Sequence, residues 1–427
     1  MNDAIEEVRR ALREDDASRV RQLLRGHPEL KARINESFEG GDGPAITRAR
    51  SREMLDALLE AGADVNAKTR WWAGGFGLLH TANPELAAYA VARGAVVDAH
   101  AAARLGLIDR LRELISADPG LVNARGGDGQ TPLHFAATEE IAELLLAHGA
   151  DMEIRDVDHE STPAQYMVRD RQEVLRYLIR RGCRTDLLMT AALGDDALVR
   201  RHLEGDPDTI RMRVSDEYFP MIGGKCGGTI YQWTLGWYVS AHQVARQFGH
   251  SSTLQLLMER SPDEVKLITA CWLGDEDAVR SLLAVHPDLG ARFSGPDRRQ
   301  VAHAARNNDL TAARLMLAAG LPVDSRSQHG GTPLHWAAWH GNVEMVRLLL
   351  SRNPPLEQAD ADFNGTPLGW AIHASEKGWN PGGGDYAAAV TVLLEAGAKP
   401  PDSAAGEASG SRAVREALRR GGGRGGP

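Results

Sequence analysis

HGGTPLHWAAWHGNVEMVRLLLSRN, running from His329 to Asn353, decides the fold. Thr332 suits a helix N-cap, and Pro333 suits the first helical position, where its missing N–H costs nothing. Ala337 and Ala338 are too small to hold neighbouring helices apart. Gly341 can take the left-handed conformation that ends a short helix. Val343, Val346, Leu349 and Leu350 recur at helical spacing and make the apolar stripe of a second helix. A helix pair this small cannot bury its own stripe. It needs neighbours of the same kind.

The neighbours are present. Thr366-Pro367-Leu368 restarts the pattern 34 residues after Thr332, and Thr131-Pro132-Leu133-His134 and Ser161-Thr162-Pro163 carry it upstream. Leu78-Leu79-His80 is a weaker echo. Thr131–Ala136 and Thr332–Ala337 both read T-P-L-H-x-A, and on these residues most of residues 1–398 resembles the ankyrin-repeat family. The resemblance implies an all-α ankyrin-repeat solenoid of about twelve helix–turn–helix repeats, with short finger turns and one aromatic, Gly-rich insertion. It is almost silent on function.

Composition sets the bounds. A chain of 427 residues exceeds an ordinary single-core domain, so it holds several domains or a repeat array. A content of 43% hydrophobic and 25% charged residues is that of a soluble folded protein. The formal charge of −9 gives no reason to expect nucleic acid or an anionic membrane as partner. Cys183, Cys226 and Cys271 are odd in number and far apart, without a C-x-x-C pair. That argues against a disulfide scaffold or zinc ribbon and for a reducing cytoplasm. The opening MNDAIEEVRRALRE is charged and amphipathic, without the apolar centre of a signal peptide, and no uncharged run is long enough to span a membrane. No cofactor or metal is expected. Arg far outnumbers Lys, an association that points to a GC-rich, bacterial genome.

In order, the chain divides into N-terminal ankyrin repeats over 1–207, an insertion over 208–239, C-terminal ankyrin repeats over 240–399 and a flexible Gly/Arg-rich tail over 400–427. Glu6, Glu7, Arg9 and Arg10 give the first helix pair the polar outer face of a terminal cap. The insertion gathers Tyr218, Phe219, Tyr231, Trp233, Trp237 and Tyr238 around Gly223–Gly228 and reads as partly strand-like. Gly378–Asp385 interrupts the last repeat as a Gly/Pro-rich bulge, and 411–420 can form a short helix within the tail.

Few residues look chemical. His134 and His335 sit in TPLH, where the family resemblance implies an imidazole tying Thr to neighbouring backbone. Asp15-Asp16, Asp195-Asp196 and Asp275-Glu276-Asp277 fall before second helices, where Asp caps free N–H groups. The terminal RRGGGRGG holds too few cations for phosphate binding and reads as a solvated tail. Gly224-Lys225 fails as a phosphate loop, because Phe219 and Cys226 replace the first glycine and the hydroxyl residue. Cys226 beside Lys225 could be an activated thiol with His242 as its partner, or simply part of a bent loop.

The sharper signal is positional. In ankyrin repeats the two residues before the inter-helix glycine vary freely and face the concave, partner-binding surface. By that resemblance Arg104-Leu105, Ala192-Leu193, Gln247-Phe248, Trp272-Leu273, Arg306-Asn307 and Trp339-His340 are such pairs. Phe248, Trp272, Arg306, Trp339 and His340, joined by Tyr231 and Trp233 of the insertion, are therefore the expected protein-binding residues. The competing reading puts the tryptophans and Phe248 in core gaps. Trp336 and Trp370 align with core positions. The function expected is a cytoplasmic protein-binding scaffold or adaptor, its groove centred on repeats eight to eleven with the insertion as one wall. Two alternatives stand beside it: a small-molecule or enzymatic pocket formed by the insertion and groove, and an effector acting inside another cell.

Overall fold

Helix starts follow the capping residues. Asp16, Asp195 and Asp275 accept the backbone N–H groups of Arg19, Leu198 and Ala278 at 2.8, 3.0 and 2.9 Å. Each such cap stabilises its helix by about 1 kcal/mol. The acid clusters are thus structural, as expected. The computed structural model describes residues 2–37, 43–224, 226–293, 295–400 and 409–422; Lys225 and parts of the terminal tail, including 423–427, lie outside the described residues.

Contacts divide the chain into two compact units, Met1–Val244 and Ala245–Pro427, with the division inside the helix Ala241–Gln247. The first unit stacks helix pairs from Asn2–Arg13 and Ala17–Gly26 to Leu187–Leu193 and Asp196–Gly205. The second contains Asp263–Leu273 with Glu276–Val285, Gln300–Arg306 with Leu310–Ala318, Pro333–Trp339 with Val343–Leu350, and Pro367–Lys377 with Tyr386–Glu395. In repeats three and five the first helix shrinks to a 3₁₀ turn, Leu78–His80 and Pro132–Phe135. Repeat five has no inter-helix glycine, and Thr138 already caps the helix beginning at Glu139. The chain must leave the first helix after one turn.

Alanine makes the stacking close: Ala101, Ala102, Ala191, Ala192, Ala304, Ala305, Ala337 and Ala338 are fully buried. Gly341 adopts φ +59, and a side chain there would meet the backbone of Gly384 and the ring of Tyr386 at 3.1 Å. His134 and His335 act as ties. Each Nδ1 accepts the backbone N–H of Thr131 or Thr332, at 3.0 and 3.1 Å. Each Nε2 reaches the carbonyl of the next finger, Ser161 at 3.2 Å and Gly365 at 3.0 Å.

No strand forms among the described residues. The insertion, expected to be partly strand-like, shows among its described residues one bridge, from Arg213 to Ser240 just past its end. Its glycines offer no side chains for a sheet to pack. It is held by aromatic burial instead, Phe219 meeting Tyr231 edge-on at 5.2 Å. Within the stretch expected to be a flexible tail, Arg412–Gly422 is helical, with Val414 buried and the N–H of Ser411 bonded to Ser375 Oγ at 2.9 Å.

Candidate functional site

In the second unit the site begins at Asp360. Its carboxylate accepts the backbone N–H groups of Asp362, Phe363 and Gly365 and the indole N–H of Trp370, at 2.9, 2.6, 2.8 and 2.8 Å. Burial pushes the Asp360 carboxyl up, but these donors outweigh it and hold the group below the usual carboxylate range. The same bonds turn the finger so that Phe363 projects into solvent, 69% exposed. Trp370 is fixed from behind and meets Trp336 at 5.0 Å and Trp339 at 5.7 Å, both edge-on.

Trp379, in the Gly/Pro-rich bulge, closes the other side, 5.8 Å from Trp336 and 5.5 Å from Trp339. His373 stacks on Trp339 at 6.0 Å and 22°. Together with His329 and Phe363 these rings line a half-open cleft of ≈ 460 Å³. Trp379 remains 61% exposed at its mouth. An apolar floor, tethered indole N–H groups and an open side suit the capture of a partner side chain.

The expected residues separate on this geometry. Trp339 lines the cleft. Arg306 lies beside it, its guanidinium carbon 5.5 Å from the ring centres of both Trp336 and Trp379, with Nε bonded to Gln328 at 3.0 Å. His340 Nε2 bonds the Arg306 carbonyl at 2.8 Å, and burial holds this imidazole below its ordinary range. Phe248 is half-buried. Trp272 is a correction to the expected open position: it is buried at 7% exposure, its indole N–H is bonded to Gln300 at 2.9 Å, and it is not among the residues lining the cleft. Trp336 and Trp370 are core, as their alignment implied. The exposed Trp379, Phe363 and His373 were missed, because a Gly/Pro-rich bulge and a finger turn carry no periodic signal.

Tyr231 is a second correction. It is fully buried in the first unit and donates its hydroxyl to Asp186 at 2.9 Å; burial and that carboxylate push the phenol far up. Trp233, by contrast, is 71% exposed. It stands 6.4 Å from His159, over the finger of repeat six. The insertion is seated on this finger: Gly227 N–H donates to the Asp158 carbonyl at 2.8 Å and Ile230 N–H to Ser161 Oγ at 3.1 Å.

Beneath it lie groups able to hold a cation. Donor atoms of Asp128, Asp158 and His159 fall within 4.8 Å of one another. Burial pushes the Asp128 carboxyl up to about 6, with His159 opposing and Asp158 and Asp156 adding. Cys226 is not an activated thiol. It bonds the Val157 carbonyl at 3.6 Å and Glu160 at 3.2 Å, and burial together with that carboxylate pushes the thiol up.

Comparison with known proteins gives the family. The family described as ankyrin repeats (3 copies) matches residues 99–209, 267–364 and 301–403, more than half of the chain. The chain is similar to the E3 ubiquitin-protein ligase XB3 of Oryza sativa subsp. japonica, 39% identical over 105 residues, covering 24% of this chain and 22% of that protein. It is also similar to the E3 ubiquitin-protein ligase KEG of Arabidopsis thaliana, 22% identical over 246 residues, covering 54% and 15%. A third is the ankyrin repeat and SAM domain-containing protein 6 of Mus musculus, 32% identical over 117 residues, covering 26% and 13%. The chain thus spans under a quarter of the length of each. These relatives are plant and animal proteins, so the expected bacterial origin finds no support among them. No helix among the described residues is long and apolar enough to cross a membrane.

Proposed function

The chain belongs to the ankyrin-repeat family, and we propose that it is a cytoplasmic protein-binding scaffold or adaptor whose second unit captures its partner in the tryptophan-lined cleft. The supporting observation is the cleft itself, with Trp379 and Phe363 exposed at its mouth over the buried Trp336 and Trp370. Exposed aromatic surface of this extent is costly in a soluble protein and is typical of binding hot spots. The neighbouring positions Arg306, Trp339 and His340 belong to the same surface. Ubiquitin ligation belongs to the relatives by name and is not carried over, since the similarity covers so little of them.

The test compares affinity capture by the intact chain, Trp379→Ala and the pair Trp339→Ala with Trp379→Ala. Trp379→Ala should keep the helical circular dichroism spectrum and lose the captured protein. Unchanged capture by the double variant sinks the cleft as the binding site. The alternative of a small-molecule pocket has one supporting feature, in the first unit: Gly227 and Gly228 of the insertion hold Asp158 and His159 beside a cleft of ≈ 290 Å³.

A further inference from the structure

Two carboxylates and an imidazole meet in the first unit without touching. His159 Nε2 lies 3.9 Å from Asp128 Oδ2 and 3.8 Å from Asp158 Oδ2, beyond hydrogen-bond reach. The other ring nitrogen, Nδ1, is 2.8 Å from the Gly228 carbonyl and must carry the proton there. His159 is 9% exposed and Asp158 only 5%. A neutral ring would therefore aim its Nε2 lone pair at two carboxylates. A protonated ring would aim an N–H at two acceptors it does not reach. A cation between the three satisfies all of them.

We infer that Asp128 Oδ2, Asp158 Oδ2 and His159 Nε2 form a binding site for a divalent transition-metal ion of the Zn²⁺ or Mn²⁺ class. One imidazole nitrogen and two carboxylate oxygens form a mixed donor set that favours such ions over Mg²⁺ and Ca²⁺, which prefer oxygen alone. Tetrahedral bonds of about 2.0–2.1 Å place donors roughly 3.3–3.4 Å apart, so the two imidazole–carboxylate edges of 3.9 and 3.8 Å have to contract by about half an ångström. A metal-bound imidazole characteristically donates its other N–H to a carbonyl, which fixes the tautomer; here that carbonyl is Gly228.

The insertion thereby gains a specific task. Besides Gly228 on His159, the Gly227 N–H binds Asp158 Oδ1 at 3.1 Å, leaving Oδ2 turned toward the imidazole. A side chain at Gly227 would meet His159 Cε1 at 3.3 Å and both Asp158 oxygens at 3.4 Å, so glycine lets the backbone approach. Trp71 donates its indole N–H to Asp158 Oδ2 at 3.2 Å, which still leaves a lone pair. Asp128 and Asp158 also line the ≈ 290 Å³ cleft with Arg48 and Thr69.

The test uses the full chain after chelator treatment, titrated with Zn²⁺ against a chromophoric competitor, with circular dichroism to check folding. The wild type should bind one equivalent that excess Mg²⁺ does not displace. His159→Ala and Asp128→Asn should each weaken it at least about tenfold, and Gly227→Ala should weaken it without removing a donor. Cys226→Ser should leave it unchanged, which separates this site from sulfur-bound zinc. Pulsed electron paramagnetic resonance of the Mn²⁺-loaded wild type should show coupling to one imidazole nitrogen, a readout independent of any variant's folding. Absence of Zn²⁺ and Mn²⁺ binding, wild-type affinity in His159→Ala, loss in Cys226→Ser, or no nitrogen coupling would each overturn the assignment.

Discussion

The finger pair of repeats five and six and that of repeats eleven and twelve share one backbone frame and carry opposite chemistry. Asp156 and Asp360 each stand six residues before the Thr-Pro of their repeat, and each carboxylate takes the N–H groups three and five residues on. Each is also bonded by an aromatic ten residues on, the Tyr166 hydroxyl at 3.0 Å and the Trp370 indole at 2.8 Å. The preceding finger bonds the next identically, Asp128 carbonyl to Val157 N–H and His329 carbonyl to Ala361 N–H, both at 2.8 Å. On that frame the tip positions differ. Asp128, Asp158 and His159 gather donors in the first unit, where His329 and Phe363 border an aromatic cleft in the second, with Asp362 bonded to His329 Nδ1 at 2.7 Å. The repeat supplies the scaffold, and the residues it leaves unconstrained supply the site.

The comparison breaks most visibly at the aromatic four residues after Thr. Trp336→Ala should cost about 3–5 kcal/mol in urea unfolding, since Trp336 is 1% exposed and packs on Trp370 and Trp379. Phe135→Ala, its counterpart at 9% exposure, should cost less. A larger loss at Phe135 would show that the aromatic cluster adds no stability to the second unit.

The frame itself is probed by Asp156→Ala and Asp360→Ala. Each strands buried N–H groups, a loss of about 2–4 kcal/mol. Amide hydrogen exchange at Ser161 and Gly365 reads the effect directly, and both should accelerate. Asp360 should lose more, because burial leaves Asp156 raised while Asp360 is net stabilised as a carboxylate. Protection retained at either amide would separate the two fingers.

A milder contrast lies at the inter-helix glycines. Gly106 and Gly341 have φ +69 and +59, but open space surrounds Gly106, whereas Gly341 abuts Gly384 and Tyr386. Backbone strain alone puts Gly106→Val at about 1 kcal/mol, with Gly341→Val nearer 3. Equal urea midpoints would mean that crowding at Gly341 relaxes freely.

The shallowest test is pH, and here the two regions should agree. Burial pushes His134 down to about 3, with the Ser161 carbonyl opposing; burial also lowers His335, with the Gly365 carbonyl opposing. The unfolded chain then binds a proton that the folded chain refuses. The His134 contribution is complete above its unfolded pKa of roughly 6.5 and falls as pH drops toward 3, by up to about 1.4 kcal/mol per unit. His134→Gln should flatten that acid limb in denaturant titrations at stepped pH. A limb unchanged by the substitution would remove His134 from the acid response.

Some residues could be read without a structure because their role is local. The Asp caps act within three residues, and the TPLH imidazoles hold the Thr three residues back and the carbonyl just before the next Thr-Pro. Trp272 and Trp339 occupy the same repeat position, yet one is sealed on Gln300 and the other lines a cleft, a difference made by neighbouring repeats. Asp156-Val157-Asp158-His159 was a visible run of donors whose third partner, Asp128, belongs to another finger.

By itself, the sequence determined the repeat, its helix pairs, its glycine turns and its family, because each follows from interactions reaching one repeat or less. Tertiary structure alone decided where the unconstrained residues point. The insertion reaches back 69 residues to bond His159, and Arg306 lies against tryptophans of later repeats. Such pairings depend on how loops of no fixed period fold over the array. No spacing in the chain encodes them, because their geometry exists only once the neighbouring repeats have packed.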